Sequence, residues 1–334
     1  MEQNKVATLQ IQFLNRIKSV IDSDKSIVFE LSELLGVSTD SIYRRLRGET
    51  WLTIEEISIL CKNYNLNFDI ITESTSDRAN FQYSLMKNVE EYMAHWISVL
   101  NILKQIESGS EKQIIYAAID IPIFYHFNYP ELASFKLFYW MREVVNEPIL
   151  KDVLFDLEWI EPKLIEQRKE IYTTYCQIPS VEIWTDSTAN SLLKQIEYYW
   201  DMGLFANKEL ALKIIDRSIE ELELINKQAE LCTKKINEPT REENFKFYQC
   251  DIEVGNNSVY VKTDNIEAVY MGILTFNTMV TSNEAFCKTT HEWLSNITRK
   301  STLLSGIAQK QRYQFFKNIT KRFELLKNRI LETE

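Results

Sequence analysis

The sequence predicts a mainly α-helical protein of two domains. The first, residues 1–75, is built of four to five short helices; the second, 76–334, is a larger helical domain carrying a small antiparallel β element at about 245–280. Three observations predict this. The chain has 334 residues, more than the roughly 100 to 200 of one usual domain. Only 7 glycines and 6 prolines occur, which disfavours folds rich in tight turns or phosphate-cradling loops. Apolar residues recur at steps of three and four through most of the chain and alternate only near 245–280.

Composition narrows the class. Hydrophobic residues make up 45% and charged residues 26%, enough apolar surface for a substantial core and too much for disorder. The formal charge of -10 excludes a general nucleic-acid coat, because non-specific affinity comes from neutralising phosphates with Lys and Arg. Any contact with DNA must therefore be local. The five cysteines are widely spaced with no CxxC pair, as expected of reduced cytosolic thiols. The start MEQNKVATLQ lacks the charged-then-apolar pattern of a signal peptide, and no apolar run approaches the roughly 18 residues that cross a membrane. A cytoplasmic location is expected.

The first helix is read from Val6, Leu9, Phe13, Ile17 and Val20, one stripe of an amphipathic helix. After the polar break Asp22-Ser23-Asp24, a short second helix carries Val28, Leu31, Leu34 and Leu35 and stops at Gly36, a residue able to take the left-handed conformation that ends a helix. Val37 drops into the core beneath the turn. Ser38 caps the third helix, whose buried face is Ile42 and Leu46, and Gly48 closes it. Thr39, Asp40, Ser41, Tyr43, Arg44, Arg45 and Arg47 are left on its outward side. Thr53-Ile54-Glu55-Glu56 is a capping box opening a fourth helix with Ile54, Ile57, Leu60, Cys61 and Tyr64 inward.

Taken together, LSELLGVSTDSIYRRLRGE followed by LTIEEISILCKNYNLNFD resembles the XRE or lambda-repressor-like helix-turn-helix family, over about residues 5–70. The features that match are the Gly-Val-Ser turn, the Ile42 anchor, the arginines before Gly48 and the Tyr-x-Leu-x-x-Asp ending. Tyr43-Arg44-Arg45 and Gly48-Glu49 look more like BetR-type bacterial regulators. Arg45 stands where many relatives carry an apolar residue, and Leu46 is expected to take over as the anchor. The resemblance implies a transcriptional regulator whose third helix, about 38–47, lies in the major groove of double-stranded DNA. It places Ser38, Thr39, Asp40 and Ser41 at the leading end near base edges, Arg44 one turn on to read guanine, and Tyr43, Arg45 and Arg47 on phosphates.

The alternative is a protein-interaction or assembly module that uses the same fold without binding DNA, its three arginines a solvated face. Residues 1–70 hold 8 Lys and Arg against 10 Asp and Glu, which favours the alternative. Residues 38–48 hold three arginines and one aspartate, which focuses positive charge on the helix that would enter the groove.

The polar Thr72–Asp77 separates head from body. A long helix is expected from Phe81 to about Ile106, with a heptad-like seam of Leu85, Val89, Tyr92, Trp96, Val99, Leu103 and Ile106. Two readings stand: the seam pairs two chains into a homodimer, or it packs inside one. Residues 114–141 are the densest aromatic stretch. They read best as core, with an aromatic cavity for a small-molecule or protein effector, polar at Asp120, His126 or Lys136, as the second reading. Helices follow over about 149–176, 184–202 and 207–235. FKFYQCDIEV and SVYVKT read as a hairpin turning at Gly255-Asn256-Asn257, a third strand lies around Ala268 to Val280, and helices over 283–298 and 306–331 follow.

Catalytic chemistry is not expected. The three histidines show no metal-ligand spacing, and GxSxG, GxGxxG and GxxxxGK[ST] are missing. Neither cofactor nor metal is implied, and the larger domain is expected to sense an effector or mediate assembly.

Overall fold

The computed structural model describes residues 2–18, 21, 26–64, 66, 78–157, 162–236, 243–264, 266–275 and 277–333, with side chains omitted at 2–8 and 162–166. The Val6 side chain, Val20, the break at 22–24 and the linker Thr72–Asp77 lie outside what is described. The chain divides into two compact units, Met1–Asn80 and Phe81–Glu334.

In the first unit the described residues form four helices: α1 (Glu2–Lys18), α2 (Ile27–Leu35), α3 (Thr39–Leu46) and α4 (Ile54–Asn63). Their apolar stripes meet in one small core of Phe13, Leu14, Ile17, Val28, Leu31, Ile42 and Leu60. Ile54, placed inward by its spacing, is instead 82% exposed at the first position of α4.

The second unit corrects the expectation of a mainly helical body. It is an α/β fold around one eight-stranded mixed sheet, ordered β1-β7-β6-β5-β2-β3-β4-β8. The strands are β1 (Gln82–Ser84), β2 (Lys112–Ala118), β3 (Ser180–Trp184), β4 (Phe245–Gln249), β5 (Ser258–Thr263), β6 (Glu267–Ile273), β7 (Asn277–Thr281) and β8 (Thr302–Leu303). The helices are α5 (Val89–Ser108), α6 (Ile123–His126), α7 (Pro130–Tyr139), α8 (Pro162–Gln177), α9 (Asn190–Asp201), α10 (Lys208–Leu231), α11 (Glu284–Lys300) and α12 (Gln309–Glu332). A π-turn, Trp140–Val144, extends α7.

β2, β3 and β4 are parallel, in register Ile114↔Ser180 and Ser180↔Phe245, while every other pairing is antiparallel. Parallel central strands are covered on both faces and read as unbroken apolar runs, so their sequence carries no alternation to mark them. In β2, Ile114, Tyr116 and Ala118 enter the main core while Ile115 and Ala117 enter a smaller core on the other face. Most helices pack on the first face. α11 covers the second through Cys287, Leu294 and Ile297.

Three finer expectations also change. β4 and β5 do not form a hairpin: β4 lies between β3 and β8, and β5 between β2 and β6. The expected third strand is two, β6 and β7. The expected helix from Phe81 begins only at Val89, capped by Asn88, whose side chain accepts from the Glu91 amide at 2.8 Å, and Gln82–Ser84 pairs as a strand with β7. The seam's Tyr92, Trp96, Leu103 and Ile106 are buried in the unit's own main core. That stripe is therefore not a surface for a second chain.

Candidate nucleic-acid interface

α2 and α3 are joined by a tight left-handed turn. Gly36 has φ of 66° and its amide donates to the Ser32 carbonyl, so α2 ends in a single left-handed residue. A side chain there would carry the steric strain of left-handed backbone. Val37 packs against the small core. Ser38 then holds extended backbone while its hydroxyl accepts from the Ser41 amide at 3.3 Å, satisfying one of the free donors of the α3 start. Ile42, 1% exposed, anchors the inner face.

Ser38, Thr39, Asp40, Tyr43, Arg44 and Arg47 are exposed and Ser41 is half-buried. Residues 40, 43, 44 and 47 follow one another at steps of three, one and three, so they form one outward strip along α3. Arg44 and Arg47 both reach back to Glu49. Arg47 donates from Nε and Nη2 to its two carboxylate oxygens at 2.7 and 3.1 Å, and Arg44 Nε lies 3.8 Å from Oε2. The hydrogen bond from Arg47 holds the Glu49 carboxyl below its usual range and raises the Arg47 guanidinium in turn. Two fixed cations thus share one exposed carboxylate, and the group carries net positive charge.

Arg45 departs from the expected phosphate contact. It is buried, and its guanidinium donates to Glu56, Nε to Oε2 at 3.3 Å and Nη2 to Oε1 at 2.7 Å, and to the Ser41 carbonyl from Nη1 at 3.3 Å; the Ser41 hydroxyl accepts as well. Glu56 Oε2 also accepts from the Thr53 amide at 2.9 Å, so the carboxylate that closes the α4 capping box also binds α3 to α4. Arg45 occupies an inward position of α3, and it remains there because its charge is paired and forked onto a carboxylate. Leu46 lies alongside, half-buried against the core.

Gln10 completes the tie. Its side-chain amide donates to the carbonyls of Arg45 and Thr50 at 2.9 Å each and accepts from the Leu52 amide at 2.8 Å, fixing the segment after α3 onto α1. Sequence reasoning misses these roles of Gln10, Glu49 and Glu56. Glu56 is legible only as a capping residue, and nothing local in the sequence marks the other two.

In the second unit the polar groups that the effector-pocket reading brings together are tied separately. Lys136 Nζ donates to Gln195 at 2.9 Å and lies 3.4 Å from Asp120, while the His126 ring pairs through Nδ1 with Glu221 at 2.8 Å, both fully buried. Elsewhere in the same core Glu182 accepts from Tyr125 and Tyr175 at 2.6 Å each and from the Trp184 indole at 3.0 Å. Burial pushes the Glu182 carboxyl up, with the Lys234 charge opposing it. Lys234 donates to the Tyr175 carbonyl at 2.8 Å with its ammonium 3.6 Å from the ring centre, and burial lowers it to about 8. These groups bind helices to the sheet.

Comparison with known proteins gives no match to a family model, to a characterised protein or to a solved structure.

Proposed function

We propose that the protein is a sequence-specific DNA-binding regulator whose first unit inserts α3 into the major groove and whose second unit senses an effector. The observation that carries this reading is the α2–turn–α3 unit itself. Gly36, Ser38 and Ile42 fix α3 so that Thr39, Asp40, Tyr43, Arg44 and Arg47 are exposed along one strip. Thr39 and Asp40 stand at the amino-terminal end, where a groove-bound helix meets base edges, and Arg44 presents a fork that matches guanine. Arg47 supplies a phosphate contact. Glu49 becomes a competitor that phosphate must displace, which lowers affinity for non-specific DNA. Arg45 has no place at this surface.

All five cysteines are free thiols, which supports a reducing, cytoplasmic compartment. No helix among the described residues is long and apolar enough to cross a membrane.

Selection of random duplexes by the full chain at about 150 mM salt, beside an Arg44→Ala/Arg47→Ala variant, tests the proposal. An enriched motif lost in the variant is the expected result, with the slope of log affinity against log salt reduced by about 0.9 for each phosphate contact removed. Enrichment by neither protein favours the second reading, a protein-interaction module. That reading draws on the acidic excess of residues 1–70, 10 Asp and Glu against 8 Lys and Arg.

A further inference from the structure

Residues 299–322 hold seven Lys and Arg and no Asp or Glu, in a chain whose formal charge is -10. Two of the seven are tied into the fold. Arg312 is buried and donates from Nη1 to the Leu304 and Gly306 carbonyls at 2.9 and 2.8 Å. Arg322 donates from Nη1 to the Asp186 carbonyl and to Asn190 Oδ1, both at 2.7 Å. Lys310 and Lys317, on α12, are exposed, and neither pairs with a carboxylate among the described residues. A helix face that keeps unpaired cations together holds a positive potential that a mobile anion lowers.

These two lysines line a pocket of about 570 Å³, within the size range of small-molecule sites. It lies between α12 and the ends of two paired strands: Gln249 is the last residue of β4, Thr302 the first of β8, and they are register partners. Gln249 is also level with Trp184 of β3, and Trp184 with Ala118 of β2. The pocket therefore sits at the carboxyl end of the outermost parallel strand, the side of an open α/β sheet on which ligands collect. No Asp or Glu lines it.

α12 brings two neighbouring strips to this pocket. Lys310, Tyr313 and Lys317 follow at steps of three and four, and so do Gln311, Gln314 and Asn318 one position on. The first strip is cationic and aromatic: the Tyr313 ring is 60% exposed, and the Lys317 ammonium lies 5.3 Å from its centre. The second is all carboxamide, each group carrying both donors and an acceptor. Gln249 adds a further carboxamide, whose Nε2 donates to Asp186 at 3.0 Å.

We infer that this pocket binds a nucleoside phosphate. Lys310 and Lys317 are point charges for the phosphate oxygens, and the Tyr313 ring is a face on which the base stacks. Gln311, Gln314 and Asn318 supply bonds to the base edge, a carboxamide matching the adjacent donor and acceptor of adenine. A bare inorganic anion would use the lysines and leave the ring and the amide strip without a partner. That the nucleotide is the effector rests on the regulator reading; that it binds here does not.

Equilibrium dialysis of the full chain against labelled ATP, in chelator and at about 150 mM salt, tests it beside Lys310→Gln/Lys317→Gln and Tyr313→Ala. All three positions are exposed, so both variants should melt with the wild type. The wild type binds ATP with a Kd below about 1 mM, and the lysine variant binds it at least about tenfold more weakly. Tyr313→Ala weakens ATP by about tenfold and leaves competition by inorganic tripolyphosphate unchanged. No binding at about 5 mM ATP, or equal binding by the wild type and the lysine variant, overturns the site. Equal binding of ATP by the wild type and Tyr313→Ala overturns the nucleoside. Displacement of ATP by a random duplex at equal phosphate concentration gives the face to nucleic-acid backbone and overturns the proposal. ATP binding without selection of a duplex motif leaves this site standing while the regulator reading falls, and selection without ATP binding does the reverse.

Discussion

A guanidinium keeps its proton at any pH a protein survives, so the position of an arginine fixes the position of a charge. Arg45 and Arg44 are neighbours in sequence with opposite fates. Arg44 faces water, while Arg45 is forked onto Glu56 with the Ser41 carbonyl as a third acceptor. Removing Arg45 leaves Glu56 half-buried without its cation, a loss of about 2 kcal/mol. Urea melts of Arg45→Ala should show that loss in the first unit, and Arg45→Ala/Glu56→Ala should cost less than the sum of the two single changes. Arg44→Ala should leave stability within about 0.5 kcal/mol of the wild type, because its partner Glu49 is itself exposed. The run Tyr43-Arg44-Arg45 offers no means of telling the two arginines apart. What separates them is an acid eleven residues away on another helix.

At the scale of the element, local signals are legible in the sequence and non-local ones are not. The α2–α3 turn is legible because its causes lie within a few residues: a glycine at φ 66°, a serine cap one residue after Val37, and an isoleucine one turn into the helix. An alanine at position 36 meets no atom within 4 Å, so the cost of Gly36→Ala is backbone strain alone, about 1 kcal/mol. Chemical denaturation should return that value, and Gly36→Asn should return less of it, since asparagine tolerates the left-handed region. β2 and β3 are not legible. Ile114–Ala118 of β2 is buried on both faces and the strand's partners begin at Ser180 and Ser258, so no period and no nearby turn marks it. SVEIW falls between a gap and the start of an expected helix, because a five-residue strand between helices differs little from a connection. The Gly255-Asn256-Asn257 signal does mark a turn in the chain. Its flanking strands nevertheless take other partners, since Phe245 and Phe247 complete the main core only when β4 lies beside β3.

Across the whole molecule, each unit closes its own core. Among the described residues, the first is made of residues up to Leu66 and the others of residues from Met86 onward. The buried Lys234 offers a test within the second unit. Burial lowers its pKa to about 8 in the fold, from the 10.5 of an ordinary lysine. Between these values the unfolded chain holds a proton that the folded chain has released, so stability rises with pH through this window and falls as pH drops back through it. Below about 8 both states hold the proton and the effect is constant. Melts of the wild type and Lys234→Met followed between about pH 8 and 9.5 should diverge by up to about 1.4 kcal/mol per pH unit, the wild type gaining, and only in the transition of the second unit. Stopping short of about pH 10 avoids the buried tyrosines, Tyr199 among them, whose raised pKa works in the opposite direction.

The sheet register also sets an order of events during synthesis. β1 pairs with β7 as Gln82↔Val280, and β2 meets β5 as Lys112↔Thr263. At roughly 5–20 residues per second, a ribosome that has just delivered Gln82 needs on the order of ten seconds or more before its partner strand exists. Among the described residues, the core of the first unit's four helices uses none beyond Leu66. On a translating ribosome the amino-terminal core can therefore be complete while the nascent second unit is still waiting for its last strands, with the apolar faces of β2 and α5 not yet covered by them.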